Sequence, residues 1–165
     1  MKYIESLIWG FIVALTALIL EVFCEIIIKD ILGFSAFTFQ YTEFAFPLAL
    51  LIIFLVATIE ESLKFTIFWK RTLLYVTKKN LTLHGGLLGS GFALTELILF
   101  YYKNNHSLSM ISIWQITVVF LTHIILGILL IYSLSKIPKN YIFIMLLFII
   151  ILHAGINIVI LSFLR

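Results

Sequence analysis

Glu60-Glu61-Ser62-Leu63-Lys64 lies inside an apolar run that begins near Phe44 and ends near Trp69. A charged side chain near the middle of a membrane helix costs about 2.5 to 3.5 kcal/mol on insertion scales, while each Leu, Ile, Phe or Val returns only about 0.3 to 0.6 kcal/mol. Two adjacent carboxylates and an ammonium in such a run therefore cannot face lipid. They require a polar interior that other helices build around them, so this short stretch predicts a multi-helix membrane bundle.

The rest of the chain agrees. Its 165 residues are 63% hydrophobic and 12% charged, with mean hydropathy +1.20, which excludes a soluble domain because the apolar runs exceed what one globular core can hide. At about 20 residues per crossing, the sequence predicts one all-α integral membrane domain over 1–165. It reads as a bundle of about five transmembrane helices, approximately 3–28, 47–69, 81–102, 111–134 and 141–164, with a polar cavity near the bilayer midplane. Lys2 followed by an apolar run has the look of a signal peptide, but Ala14-Leu15-Thr16-Ala17 leads into further apolar sequence, so the segment reads as a retained helix. The net charge of +3 comes from residues in short loops, where they act as topology signals, and no nucleic-acid partner is expected. Cys24 is the only cysteine, which excludes an internal disulfide and a cysteine-rich metal site.

Several features read as architecture. Glu21, Glu25 and Lys29 follow one another at single-turn spacing and suit a water-facing helix end with an i,i+4 ion pair. Residues 30–43 mix aromatic and polar side chains and suit an interfacial loop or short surface helix. Pro47 is tolerated in a first helical turn, and Trp69-Lys70-Arg71 forms an interface anchor. Gly85 and Gly89 form a GxxxG pattern that permits close approach of a neighbouring helix, as does Gly127 beside His123. His84 and His106 are expected to be solvated. Lys2, Lys70, Arg71, Lys78, Lys79, Lys136 and Lys139 fall on one side of five spans, and Lys29, Lys103 and Arg165 on the other. The positive-inside rule then puts the N-terminus inside and the C-terminus outside.

Depth separates the remaining polar residues from this background. At about 1.5 Å of rise per residue, His123 and His153 fall within ~2 Å of their span midpoints, Glu60 and Glu61 ~3 to 5 Å toward the inner side, and Glu96 ~6 to 7 Å toward the outer side. Four helices thus place an ionisable residue in one central slab, where such residues are scarce and carry function by default. The pairs Glu60 and Lys64, Phe92 and Glu96, His123 and Gly127, and His153 and Asn157 are each separated by four positions, so each helix presents two stacked residues on one face.

Taken in order, Glu60-Glu61-x-x-Lys64, Gly89-Ser90-Gly91-Phe92-x-x-x-Glu96, His123-x-x-x-Gly127 and His153-x-x-x-Asn157 resemble the motifs of the PrsW family of intramembrane proteases, a relative of the CAAX prenyl proteases. The resemblance covers roughly residues 55–160. Lys64 and Glu96 stand where the prenyl-protease branch carries an arginine and a histidine, which brings the chain nearer to PrsW. The resemblance implies an integral protein of a prokaryotic plasma membrane. It further implies a catalytic cavity that hydrolyses a membrane-anchored protein substrate, such as an anti-sigma factor, with Glu60, Glu61, His123, His153 and Asn157 catalytic and Lys64, Phe92 and Glu96 supporting.

Peptide hydrolysis needs a base for the attacking water, donors for the oxyanion and an acid for the leaving amine. Glu60 is the expected base. Glu61 points about 100° away on the helix and is expected to hold Lys64. His123 and His153 with Glu96, or with a glutamate from the second span, make up a set able to bind zinc with one position open for water, although no HExxH is present. Without metal, His123 is expected to polarise water beside Glu60, and His153 with Asn157 to stabilise the oxyanion. Phe92 is expected to be packing. A proton-coupled transporter is the alternative from another class, because mid-membrane Glu and His residues also form proton relays, and a catalytically silent relative that binds membrane partners is a third reading.

Overall fold

The computed structural model describes residues 2–32, 45–72, 80–103 and 113–162, and these are helical apart from the link at 137–138. Five long helices follow one another: α1 Lys2–Leu32, α2 Ala45–Ile67, α3 Leu81–Lys103, α4 Ile113–Lys136 and α5 Ile142–Ser162. Tyr3–Ile28, Leu81–Tyr102, Ile113–Lys136 and Lys139–Ile160 are long and apolar enough to cross a membrane. α2, at 23 residues, matches them in length and differs by its three charges. The protein is an all-α membrane bundle.

The helix bounds follow the hydrophobic runs to within a few residues. α1 continues through Asp30 to Leu32, past the point where the sequence suggests a loop, and the remainder of that expected loop lies outside the described residues, as does His106. α2 ends in a π-helical turn at Phe68–Thr72, which carries the Trp69-Lys70-Arg71 anchor. α4 stops before Pro138, which has no N–H to continue the helix. A tight link follows, held by Ile137 N–H donating to the Ser133 carbonyl at 3.0 Å and Tyr141 N–H donating to the Pro138 carbonyl at 2.9 Å.

The main pairings run in a ring: α1 against α3, α3 against α4, α4 against α5, α5 against α2, and α2 back against α1. Between membrane helices, close van der Waals approach replaces the hydrophobic effect as the driving force, and glycines provide it on both sides of α3. A Cβ at Gly89 would lie 2.2 Å from the His123 carbonyl oxygen, and one at Gly85 would lie 2.6 Å from that of Gly127. The GxxxG expectation thus finds its partner in α4. On the opposite side, a Cβ at Gly91 would lie 2.2 Å from the Leu7 carbonyl oxygen, and one at Gly10 would lie 2.2 Å from that of Leu88, so α1 and α3 are equally close. Ala57 and Ala154 are the small residues buried between α2 and α5.

The ring closes over two larger apolar clusters. One joins Leu88, Leu126, Leu130, Ile131 and Ile149 from α3, α4 and α5 with Phe68, and the other joins Val13, Ala14 and Ala17 of α1 with Phe92 of α3. The α1–α3 seam also overturns the expectation for His84. This residue is buried, its Nδ1 lies 2.6 Å from Ser6 Oγ and its ring stacks on Tyr3 at 5.1 Å. A histidine in the first turn of a span reads as interfacial, yet here α1 lies over it and supplies a hydroxyl partner.

Candidate active site

Glu60 and Lys64 lie one turn apart on α2 with Glu61 beside Glu60, and the ring turns this side of the helix inward, where all three are buried. The ammonium of Lys64 is fully enclosed and stands at the centre of the polar cluster. It donates to Glu61 Oε1 at 2.7 Å and to His123 Nδ1 at 3.0 Å, and lies 3.8 Å from Glu60 Oε2. The Phe92 ring caps it at 4.0 Å from the ring centre, a cation–π contact that strengthens when both groups are dry. Phe92 also packs on the His123 ring, 4.6 Å between centroids. It is therefore packing, as expected, but packing that forms one wall around the buried charge.

The Lys64 ammonium fixes the tautomer of His123. Lys64 can only donate, so His123 Nδ1 accepts. His123 Nε2 then carries the proton and donates to Glu96 Oε2 at 2.5 Å. His153 Nδ1 lies 2.8 Å from Glu61 Oε1 and donates to it, since a carboxylate oxygen accepts. His153 Nε2, on the other edge of the ring, lies 3.7 Å from Glu60 Oε2. The two rings meet edge to face at 5.2 Å.

The pairing differs from the sequence expectation in three respects. His153, not His123, stands beside Glu60, while His123 is held between Lys64 and Glu96. Of the carboxylates expected with the two histidines as metal ligands, the second-span glutamates lie within the cluster that can hold a metal ion, while Glu96 lies outside it. Its carboxylate takes the Nε2–H on the far edge of the His123 ring, and its side chain is 45% open. Asn157, one turn beyond His153 on α5, is half-buried and has no hydrogen bond to the cluster among the described residues.

The residues that do converge are Glu60, Glu61, His123 and His153, whose ligand atoms lie within 4.8 Å of one another. Two carboxylates and two imidazoles are a donor set that suits zinc, and Glu60 Oε2 and Glu61 Oε2 are buried without hydrogen-bond partners. A divalent ion therefore fits the site in donor type, with Glu60 Oε2 and Glu61 Oε2 as buried atoms that have no hydrogen-bond partner and His153 Nε2 3.7 Å from the first of them.

The sequence reading left one residue of this neighbourhood elsewhere. Glu21, half-buried on α1, is within electrostatic reach of Glu96 and Lys64 and of Glu60, rather than forming part of a purely water-facing end. Its single-turn spacing to Glu25 pointed to a local ion pair, and nothing in the sequence shows which way α1 turns. Compared with family models, with curated proteins and with solved structures, the chain matches none.

Proposed function

We propose that the protein is an intramembrane endopeptidase that hydrolyses a peptide bond of a membrane-anchored protein, with Glu60 as the general base. The observation that carries the reading is the position of Glu60 Oε2, buried without a hydrogen-bond partner, 3.7 Å from His153 Nε2. Both atoms accept hydrogen bonds. A water that donates one hydrogen to each keeps its own lone pairs for attack on a carbonyl carbon, and Glu60 takes the proton as the carbon–oxygen bond forms.

The remaining residues have supporting roles. Glu61 accepts from His153 Nδ1 and from Lys64 at once, which orients the imidazole and anchors the ammonium. Lys64 supplies the positive charge beside the developing oxyanion, in a dry site where such a charge is worth far more than in water. Glu60, once protonated, can pass its proton to the leaving amine. A bound Zn²⁺ would polarise the carbonyl and acidify the water, and Glu60, Glu61 and His153 are the residues that would hold it.

The test is cleavage of a membrane-anchored substrate reconstituted with the purified protein in vesicles. Glu60→Gln and His153→Ala variants that retain their fold are expected to lose cleavage by about a hundredfold or more, the usual size of a general-base contribution. Unchanged cleavage by folded Glu60→Gln would rule the reading out. Elemental analysis of active wild type beside a His123→Ala, His153→Ala double variant decides whether zinc takes part.

A further inference from the structure

The donor set that suits a divalent ion already surrounds a cation. The Lys64 ammonium is fully enclosed, donates to Glu61 Oε1 at 2.7 Å and to His123 Nδ1 at 3.0 Å, and lies 3.8 Å from Glu60 Oε2. It therefore reaches three of the four residues whose ligand atoms converge. The spacing of those atoms agrees with this occupant. Zinc holds nitrogen and oxygen ligands at about 2.0 to 2.2 Å, which sets tetrahedral corners about 3.3 to 3.6 Å apart. Charge-assisted hydrogen bonds of about 2.7 to 2.9 Å set the corners about 4.4 to 4.7 Å apart. Here the ligand atoms of Glu60, Glu61, His123 and His153 lie within 4.8 Å of one another, which is the span of an ammonium's shell and wider than that of zinc.

We propose that Lys64 and a divalent metal ion are alternative occupants of one cation seat, and that the chain fills this seat with its own ammonium. The inference rests on the proteolytic reading only for what the cation does there, which is to stand beside the developing oxyanion. Two features exclude joint occupancy. His123 turns Nδ1 to Lys64 and its Nε2–H to Glu96, so neither ring nitrogen is open to a metal while the ammonium is in place. A dication held by Glu60 or Glu61 would also stand close to that ammonium, which lies 3.8 Å from one carboxylate and 2.7 Å from the other. Like charges at such separations repel strongly in an interior poor in water. A neutral side chain of similar length at position 64 removes both obstacles. It frees His123 Nδ1 and leaves the two carboxylates without their counter-charge, so that four donors face a seat for which zinc needs three.

The experiment titrates Co²⁺, whose visible absorption reports its ligands, into the full chain in detergent micelles and then displaces it with Zn²⁺. Lys64→Met is expected to bind Co²⁺ about a hundredfold more tightly than wild type, once the repelling charge is gone. Zn²⁺ should raise the unfolding midpoint of Lys64→Met and leave that of wild type unchanged, since only a chain that binds the ion is stabilised by it. Adding His123→Ala to Lys64→Met should weaken Co²⁺ binding about tenfold or more, at least what losing an outer partner of a metal ligand costs, because Nδ1 is the donor that Lys64 gives up. Should Lys64→Met not fold, Glu61→Gln, Lys64→Met carries the same comparison with Glu60, His123 and His153 as donors. Wild type that binds Co²⁺ as tightly as the variant overturns the proposal. So does a folded variant that gains no affinity, or a gain that His123→Ala leaves unchanged. These readouts record binding and not cleavage. Tight binding by wild type discards the shared seat and leaves Glu60 as the base beside a metal, whereas the expected gain together with unchanged cleavage by folded Glu60→Gln keeps the seat and discards proteolysis.

Discussion

At the scale of single residues the site is organised around a cation that the chain supplies itself. Lys64 is fully enclosed, and Glu61, its nearest partner, is equally buried. Removing one member of a buried pair leaves an uncompensated charge, at a cost of about 3 to 5 kcal/mol, while replacing both by apolar or neutral groups of similar volume is often tolerated. Lys64→Met is therefore expected to be strongly destabilising and Glu61→Gln, Lys64→Met to recover much of the loss. Thermal unfolding in detergent micelles, arranged as a double-mutant cycle, measures this, and additive losses would show that the pair is not the unit holding the site. Glu96 permits a finer prediction, because glutamine can accept the His123 Nε2–H and leucine cannot. Glu96→Leu should lower cleavage about tenfold or more, as losing the partner that orients an imidazole commonly does, whereas Glu96→Gln should retain most of it. Nitrogen NMR of the His123 ring separates this positioning role from a structural one: the Nε2–H tautomer should persist in the glutamine variant and become mixed in the leucine variant.

At the scale of elements, α3 is the helix on which the arrangement depends, since it is packed at glycine distance on two sides. A methyl added at Gly89 or Gly91 would meet a backbone carbonyl oxygen of α4 or α1 at 2.2 Å, and backbone cannot give way as a flexible side chain can. Gly89→Ala and Gly91→Ala are expected to cost about 1 to 3 kcal/mol or more. Gly155→Ala, with nothing within 4 Å of the added carbon, should be neutral or stabilise by about 0.5 to 1 kcal/mol through helix propensity. Unfolding midpoints of the three variants test the contrast, and a Gly155→Ala loss as large as that of Gly89→Ala would contradict the packing described. The Gly85/Gly89 spacing made one of these contacts legible in the sequence, but Gly10 is an isolated glycine and Gly91 has no glycine four positions away to mark a second face. The ring order of the helices was not legible either. Apart from His153 and Asn157, which mark its inward side, α5 is apolar around its circumference, so its sequence does not say which neighbour that side meets. For the same reason depth, which depends only on position along a helix, brought Glu60, Glu61, Glu96, His123 and His153 to one level. Partner choice depends on rotation about each axis, and so the placement of His153 at Glu60, of His123 between Lys64 and Glu96, of Asn157 outside the network and of Ser6 on His84 emerged only from the packed bundle.

At the scale of the whole molecule, the number of crossings and the distribution of charge together determine orientation. If all five helices cross once, the two termini lie on opposite sides, and the positive-inside rule then expects the side with seven basic residues against three to be the inner one. We therefore expect a phosphatase that is active only outside the cell to report when fused after Arg165 and to be silent when fused before Met1, with a fluorescent protein that matures only inside giving the complementary pattern.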